Sequence, residues 1–335
     1  MTVRIGINGF GRVGRYALRT VLGRSDMDIV AVNSRAESKI LAHLLKYDSV
    51  HGKYGAEVTY DDDSIIVDGK KIKIFRETKE LGGIPWGKNG VDVVLECTGK
   101  FRKKDEMTGH LQGGAKKVVL AAPGKGMDTT IVLGVNEDKY DPASHHIISN
   151  ASCTTNCLAP VVKVLNDTFG IERGLMTTVH SYTMDQRLLD GSHRDLRRAR
   201  AAALSMVPTT TGAAVAVTQV IPELKGKLDG FAIRVPTPNV SLVDLVVDLK
   251  KEVTPGGINR AVREAAEGKL KGIIEYCEDE LVSIDFQSSP YSAIFDAPLT
   301  NVVEGKMAKV IAWYDNESGY AERLVDLALY VGTRL

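Results

Sequence analysis

A glycine-rich turn near the start of the chain constrains the fold more than any other feature. Residues 2–7 (TVRIGI) read as a short apolar strand, and Gly9-Phe10-Gly11-Arg12-Val13-Gly14 follows almost directly. Small and apolar residues then recur at helical spacing, which predicts a strand, a tight turn and a helix. Glycines in such a turn let the backbone approach a pyrophosphate at the helix N-terminus. We interpret the segment as a dinucleotide-binding turn; the alternative is a glycine turn with a structural role only.

Further strands extend this unit into a sheet. SIIVDGKKIKIF (64–75) contains two β-rich runs joined by Asp68-Gly69, a strong hairpin signal. Helix-compatible segments lie between several of the other runs, so the sheet is predicted to be open and mostly parallel, of the Rossmann type. The other predicted strands are residues 28–33, 91–99, 116–123 and 130–135.

The second half of the chain has a different texture. Its predicted strands are longer, several alternate partially in polarity, and helices separate only some of them, notably around 255–268. We therefore expect an α+β domain with a large mixed or antiparallel sheet. Apolar residues at helical spacing in 317–332 predict a terminal amphipathic helix. The predicted strands are residues 175–183, 230–237, 240–250, 280–286 and 306–315.

Composition narrows the functional classes. The chain has 335 residues, with 43 Lys+Arg against 42 Asp+Glu, so its net charge of +1 gives no global field that would recruit nucleic acid or an acidic membrane. We find no signal-peptide pattern and no apolar run of the roughly 18–20 residues that would span a bilayer. A cytoplasmic enzyme without a membrane partner is expected. Four cysteines are too few for a disulfide scaffold of this size.

The end of the second strand bears on coenzyme choice. NAD-binding units usually place an acidic residue there to bond the ribose 2′-hydroxyl, but this chain reads Val32-Asn33-Ser34-Arg35. Ser34 and Arg35 could accept a 2′-phosphate through charge-assisted hydrogen bonds. This favours NADP, or use of both NADP and NAD. The alternative is that Arg35 is a solvated turn residue and the 2′-hydroxyl is bound in another way.

Two cysteines four residues apart, in SNASCTTNCL (149–158), allow three interpretations: a disulfide, half of a metal site, or one reactive thiol. The reducing compartment argues against the first, and the absence of further ligands at metal-site spacing argues against the second. Cys153 stands where a strand leads into a helix, and the helix N-terminus is expected to lower the pKa of its thiol. His180, on a later predicted strand, could be its base, although any histidine also has a structural interpretation. Cys157 is expected to be a small buried residue.

Residues 184–207 form a segment that we call the basic arm, because it holds five arginines and little strand signal. It is either a solvated loop or an ordered arm near a phosphate or a neighbouring subunit.

Several motifs together resemble the phosphorylating glyceraldehyde-3-phosphate dehydrogenases. They are GINGFGRVGR, KYDSVHGKY, SNASCTTNC, TTVHSYT, TTTGAA, RVPTPNVS and WYDNESGY, in the family's order. The resemblance covers residues 3 to about 331. It implies a homotetramer with a dinucleotide-binding domain (1–152 plus the helix in 317–335) and a catalytic domain (153–316), acting on a small-molecule substrate with inorganic phosphate and NADP or NAD.

The resemblance also implies roles for individual residues. Cys153 would attack the aldehyde to give a thiohemiacetal, and His180 would take the proton. Hydride transfer would leave a thioester, which phosphate would attack to release an acyl phosphate. Thr183 and Arg234 match the site for the substrate's own phosphate. The matches to the remaining substrate and attacking-phosphate contacts are Ser152, Thr154, Arg198, Thr211 and Gly212.

Coenzyme contacts follow in the same way. Arg12 and Val13 match backbone contacts to the pyrophosphate within the turn of Gly9, Gly11 and Gly14, and Asn316 matches the residue that orients the nicotinamide carboxamide. Two positions resemble NADP-using members: Ser34, where NAD-specific members carry Asp, and Ser192 on the basic arm. A family arginine before PWG aligns ambiguously with Arg76, Thr78 or Lys79 and is not assigned.

Two rival functions fit parts of the pattern. Erythrose-4-phosphate dehydrogenases share the Cys and His but depart from TTTGAA, which is intact here at 209–214. A non-catalytic redox or RNA-binding role would need only the reactive cysteine or the coenzyme groove. We expect no metal site.

Overall fold

The structure is a computed structural model that describes residues 2–77 and 80–335. The chain forms two compact units. The first consists of residues 1–131, 138–151 and 321–335, and the second of residues 132–137 and 152–320. None of the described helices combines the length and the apolar character needed to cross a membrane.

The first unit is built on a sheet that has nine strands in the described residues, in the order β3-β4-β5-β2-β1-β6-β7-β9-β8. The pairs are parallel except for β3 with β4 and β4 with β5. This confirms the predicted Rossmann-type sheet. Its strands are β1 (Val3–Asn8), β2 (Met27–Asn33), β3 (Val58–Tyr60), β4 (Ser64–Val67), β5 (Lys70–Phe75), β6 (Val93–Glu96), β7 (Lys117–Leu120), β8 (Thr129–Thr130) and β9 (Ile147–Ser149). Its helices are α1 (Arg12–Leu22), α2 (Ser38–Lys46) and α3 (Lys104–Gln112).

The order of strands reverses between β1 and β6. β1 pairs with β2 on one side and with β6 on the other, both in parallel. In open α/β sheets, ligands bind at such a switch point, beyond the carboxyl ends of the strands. The glycine turn follows the end of β1, so the chain topology brings it to this position.

The second unit holds a mixed sheet of seven strands in the order β11-β12-β10-β13-β16-β15-β14. β10 pairs in parallel with β12 and β14 with β15, and the other four pairs are antiparallel. The predicted α+β domain is thus confirmed. The helices are α4 (Cys153–Phe169), α5 (Ala213–Val220) and α6 (Pro255–Glu267). The strands are β10 (Ile171–Ser181), β11 (Val207–Thr210), β12 (Leu228–Val235), β13 (Ser241–Leu249), β14 (Ile274–Cys277), β15 (Ala293–Val303) and β16 (Met307–Tyr314).

The final helix, α7 (Ser318–Gly332), agrees with the helix predicted over 317–332. From Ala321 onward it belongs to the first unit. There Glu322 accepts a hydrogen bond from the Thr20 hydroxyl (2.9 Å), and Gly332 packs so closely on Val3 that a Cβ would lie 2.3 Å from a Val3 methyl.

Two strand predictions are wrong. Of residues 130–135 only Thr130, the last residue of β8, pairs in a strand, although Ile131 and Val132 are fully buried. In 280–286 the chain forms a 3₁₀ turn at Ser283–Phe286, which leaves Ile284 exposed. Burial and apolar character therefore do not require strand pairing at these places.

Candidate active site

Cys153 is the first residue of α4, and a short strained turn places it there. β9 ends at Ser149, Ala151 adopts a positive φ of 54°, and Ser152 caps the helix by accepting a hydrogen bond from the Thr155 N–H (3.0 Å). A positive φ is uncommon for a residue with a Cβ and occurs often at functional sites. The turn presents the Cys153 thiol at a helix N-terminus, as the sequence predicts. All four cysteines are free thiols, and Cys157 is buried.

The Sγ atom of Cys153 lies 3.5 Å from Nε2 of His180. His180 is the penultimate residue of β10, and its side chain is almost completely buried, with 4% exposed. The fold thus brings two residues that are 27 positions apart in the sequence close enough for the thiol to give its proton to the imidazole. This is the arrangement of an activated nucleophile.

The other nitrogen of the imidazole is held from two sides. Nδ1 lies 2.8 Å from the Ser181 carbonyl oxygen, which can only accept a hydrogen bond. Arg234 is opposite His180 in the parallel β10–β12 register, and its Nη1 lies 2.7 Å from Nδ1 and 3.1 Å from the same carbonyl. These two contacts require opposite tautomers: the Ser181 carbonyl oxygen only accepts and pairs with an Nδ1 that carries the proton, whereas the guanidinium only donates and pairs with an unprotonated Nδ1. With the proton on Nδ1, both Nδ1 and Arg234 Nη1 donate to Ser181 O. That tautomer leaves Nε2 free to accept the thiol proton.

Burial shifts both members of this pair toward their neutral forms. It lowers the pKa of His180 to about 3, and the Arg234 cation acts in the same direction. Burial also raises the pKa of the Cys153 thiol, although the charge of Arg234 and hydrogen bonds at the start of α4 oppose the rise. The prediction that the helix N-terminus gives Cys153 a lowered pKa is therefore wrong, because the effect of burial outweighs it. Transfer of the proton from Sγ to Nε2 keeps the net charge of the pair unchanged, so burial opposes it less than it opposes loss of the proton to solvent.

Tyr314 supports the pair and was missed by the sequence analysis. Its ring meets the His180 ring edge-on, with 5.9 Å between centroids, and its hydroxyl bonds Thr154 Oγ1 (2.8 Å) and Thr178 Oγ1 (2.9 Å). Tyr314 is fully buried, so this contact fixes the plane of the imidazole. Its place in WYDNESGY, two residues before Asn316, is the only sequence signal that could have indicated it.

A second missed residue, Asp185, lies among the predicted phosphate contacts. The Thr183 hydroxyl and Nη1 of Arg198 both donate to its carboxylate. Nε of Arg198 also donates to Thr209 Oγ1 (2.9 Å), and Nη2 lies 3.3 Å from the Thr210 carbonyl oxygen. The predicted anion contacts Thr183 and Arg198 are thus brought together by a carboxylate.

The remaining predicted phosphate contacts lie at helix N-termini. Ser152 caps α4, and Thr154 is in its first turn, where the side chain is buried against Tyr314. Gly212 is the residue before α5, and the Thr211 hydroxyl accepts from the Ala213 N–H (3.2 Å). Helix N-termini present backbone N–H groups that suit an anion.

Asn316 has a fixed orientation. Its Oδ1 accepts hydrogen bonds from Ser181 Oγ (2.8 Å) and Ser241 Oγ (2.9 Å), and only 7% of the residue is exposed. Because both hydroxyls occupy the oxygen, the Nδ2 group is the part of the amide that can donate to a ligand.

The glycine turn of the first unit fits a pyrophosphate. Gly9 has φ of +96°, and a Cβ on Gly14 would lie 2.2 Å from the Gly9 carbonyl oxygen, so neither position accepts a side chain. A Cβ on Gly11 would meet no atom within 4 Å, because this position faces open space. The first turn of α1, which begins with Arg12 and Val13 and lies within the described residues, holds no acidic residue that would repel a pyrophosphate. A backbone cradle, an open face and a helix N-terminus together meet the requirements of a dinucleotide.

Next to the turn is a cavity of about 410 Å³ whose lining includes Gly9, Gly11, Ser34 and Arg35. Ser34 is half-buried and Arg35 is exposed. Glu77 also lines this cavity. The predicted coenzyme residues at the turn and after β2 are thus brought to one groove of the first unit.

The sequence leaves the family arginine before PWG open between Arg76, Thr78 and Lys79. Arg76 braces the loop after β2, since its guanidinium donates to the Ala36 carbonyl oxygen and to Ser38 Oγ (3.0 Å). Thr78 and Lys79 lie outside the described residues.

Ser192, the second residue for which the sequence resembles NADP-using members, lies on the basic arm in the second unit. It is exposed, and its carbonyl oxygen accepts a hydrogen bond from Arg187 Nε (2.9 Å).

Comparison with known proteins gives a family match over both units. The family model described as "Glyceraldehyde 3-phosphate dehydrogenase, NAD binding domain" matches residues 3–104, and the model of the C-terminal domain matches residues 152–316. The chain is 58% identical over 334 residues to "Glyceraldehyde-3-phosphate dehydrogenase" of Geobacillus stearothermophilus, covering 100% of this chain and 99% of that protein. It is 58% identical to "Glyceraldehyde-3-phosphate dehydrogenase 1" of Bacillus subtilis (100% of this chain and 99% of that protein). It is 57% identical to "Glyceraldehyde-3-phosphate dehydrogenase" of Streptomyces coelicolor (100% of both). The chain belongs to the glyceraldehyde 3-phosphate dehydrogenase family and carries its NAD-binding domain.

Proposed function

We propose that this chain oxidises glyceraldehyde 3-phosphate to 1,3-bisphosphoglycerate, using inorganic phosphate and NADP or NAD, as a homotetrameric enzyme of glycolysis or gluconeogenesis. The observation that carries the proposal is the distance of 3.5 Å between Cys153 Sγ and His180 Nε2 at the N-terminus of α4. A thiol and a base in this geometry support covalent catalysis on an aldehyde. The printed names of the relatives support the substrate.

In the proposed mechanism Sγ of Cys153 attacks the aldehyde carbon while Nε2 of His180 takes the thiol proton. The tautomer protonated at Nδ1, with Ser181 O as its acceptor, keeps Nε2 available. The coenzyme, when bound, supplies the hydride acceptor that turns the thiohemiacetal into a thioester. Gly9, Gly11 and Gly14 with the start of α1 would hold its pyrophosphate.

Two phosphate groups must then be bound, one on the substrate and one as the attacking nucleophile. We assign Thr183 and Arg234 to the first. We assign Arg198, Ser152, Thr211 and Gly212 to the second, together with the backbone of Thr154, since its side chain is buried. Arginines, hydroxyls and helix N-termini are the donors that phosphate requires. Asn316, with its amide donor directed by two serines, would orient the nicotinamide carboxamide.

For the coenzyme we propose a preference for NADP or the use of both coenzymes. Ser34 replaces the expected carboxylate, and Arg35 beside it is exposed to the groove's solvent. Ser192 supports the same proposal from the sequence. The carboxylate-bearing Glu77 in the same cavity lining argues for dual use over strict NADP specificity.

The test is steady-state oxidation of glyceraldehyde 3-phosphate with NAD and with NADP, each with and without inorganic phosphate. We expect phosphate-dependent turnover with both, and a higher kcat/KM for NADP. A clear preference for NAD would retain the reaction but reject the role of Ser34 in coenzyme choice. Turnover without phosphate, and on erythrose 4-phosphate, would instead support the thioester-hydrolysing sister activity.

A further inference from the structure

Asp185 lies in the active-site region, but the proposed reaction assigns it no role. It lies five residues after His180, beyond the end of β10, and 42% of its side chain is exposed. A carboxylate is an unexpected neighbour for a site that must bind two phosphate anions, because like charges repel.

The contacts of Asp185 are donors that we assign to phosphate. One carboxylate oxygen accepts from the Thr183 hydroxyl, which belongs to the proposed substrate-phosphate site. The other accepts from Nη1 of Arg198, which belongs to the proposed attacking-phosphate site. The carboxylate therefore bridges the two sites with the same pair of donors that anions would use.

Its charge also reaches the rest of the site. Partial burial opposes ionisation of Asp185, but the Thr183 hydroxyl and the cations Arg198 and Arg234 together lower its pKa. Arg198 is held on its other side by Thr209 Oγ1, which in turn donates to Asp195 (2.7 Å), and Asp195 Oδ2 lies 3.7 Å from Arg198 Nε. Of the two carboxylates that face Arg198, Asp185 is the one that also holds Thr183.

We propose that Asp185 is the resident anion of this site: its carboxylate holds Thr183 and Arg198, and a phosphate must displace it in order to bind. This inference rests on the proposed function for the identity of the anions. An arginine and a hydroxyl without a resident anion would bind phosphate more tightly. The carboxylate weakens that affinity, which helps a product with two phosphate groups to leave.

The proposal is tested by titrating the coenzyme-free protein with inorganic phosphate in a calorimeter at constant ionic strength. We expect Asp185→Asn to bind phosphate about tenfold more tightly than the wild type, since a like charge within about 4–6 Å changes such equilibria by a factor of ten or more. Asp185→Ala, which removes the acceptor as well as the charge, is expected to bind more tightly too. In turnover, the KM for phosphate should fall in Asp185→Asn while kcat stays the same or falls.

Asp248→Asn is the matched control. Asp248 also accepts from an arginine, Arg173 Nε, at 2.7 Å, but this pair is seven residues before His180 on β10, about 23 Å away at roughly 3.3 Å per residue. The phosphate affinity of the Asp248→Asn variant should equal that of the wild type. Circular dichroism establishes that each variant is folded.

Three results would overturn the proposal. Unchanged affinity in Asp185→Asn with weaker binding in Asp185→Ala would mean that the carboxylate only positions its neighbours. Weaker binding in both folded variants would mean that it contributes to the anion site. An absence of phosphate binding in every folded protein would reject the anion site itself. Tighter binding in the variants, with no phosphate-dependent turnover by the wild type, would keep the resident anion and reject the proposed reaction.

Discussion

At the scale of single residues, the reactivity of Cys153 depends on a proton acceptor more than on the helix that carries it. The thiol is at the N-terminus of α4, yet burial raises its pKa. His180 remains neutral because its own pKa is lowered to about 3. A neutral imidazole 3.5 Å from Sγ can take the thiol proton without a change in the net charge of the buried pair.

This dependence leads to a prediction for His180→Asn. We expect acylation to slow by about 10²–10⁴-fold, the usual contribution of a positioned base. The pH at which iodoacetamide alkylates Cys153 at half its maximal rate should rise, because the thiol must then lose its proton to solvent against the effect of burial. Pre-steady-state acylation and the pH profile of alkylation measure the two effects.

Cys153→Ser is the control for this experiment: it should abolish oxidation while coenzyme still binds, and normal turnover by it would reject the nucleophile. Equal acylation rates and equal alkylation profiles in wild type and His180→Asn would remove His180 from the role of base.

Motifs could indicate Cys153 and His180, but not the residues that act through them. The positive φ of Ala151 is set by packing around the turn, and alanine carries no signal for it. Nothing in the sequence around Asp185 and Tyr314 indicates a role in the site. Their roles arise because the fold brings Asp185 close to Thr183 and Arg234, and Tyr314 close to His180. The pKa of Cys153 was predicted wrongly for a related reason: the position at a helix start can be read from the sequence, whereas the degree of burial cannot.

At the scale of elements, the turn between β1 and α1 combines two kinds of glycine. Gly14 is required by packing, because a Cβ would lie 2.2 Å from the Gly9 carbonyl oxygen. Gly11 meets no steric limit in the protein itself. If a pyrophosphate binds here, Gly11 is required only by the ligand.

Two substitutions separate these requirements. Gly14→Ala should lower the free energy of unfolding by at least about 2 kcal/mol, since overpacking against backbone outweighs the gain in helix propensity. Gly11→Ala should change that free energy by less than about 1 kcal/mol but weaken coenzyme binding at least tenfold. Urea unfolding and quenching of protein fluorescence by the coenzyme measure the two quantities. Normal coenzyme affinity in Gly11→Ala would support the alternative of a purely structural turn.

The same turn was predictable because strand, glycines and helix form one continuous local pattern. The hairpin at Asp68-Gly69 was predictable for a similar reason: both residues have positive φ, as its turn requires. Residues 131–135 and 280–286 were not, because a short apolar run is equally compatible with a strand and with a buried or exposed loop. Which of these forms depends on whether a neighbouring strand offers hydrogen bonds, and this is decided by the tertiary fold.

At the scale of the whole molecule, the chain leaves an apolar surface on the basic arm. Six large apolar side chains of the arm are more than 70% exposed. They are Met184, Leu188, Leu189, Leu196, Leu204 and Met206. Single exposed apolar residues are ordinary, but this concentration within 24 residues (184–207) is typical of a surface that another chain covers.

The resemblance implies a homotetramer, and the arm gives that prediction a testable basis. Light scattering after gel filtration should give about 146 kDa, four times the 36.4 kDa of one chain. The double substitution Leu188→Ser with Leu189→Ser should lower this mass, because two of these six exposed apolar side chains of the arm would no longer favour burial. Tyr60→Ser, which replaces a large side chain that is 48% exposed on the first unit, should leave it unchanged. A wild-type mass of one chain would mean that these six side chains stay in water, and the arm's apolar residues would then need a different explanation from subunit contact.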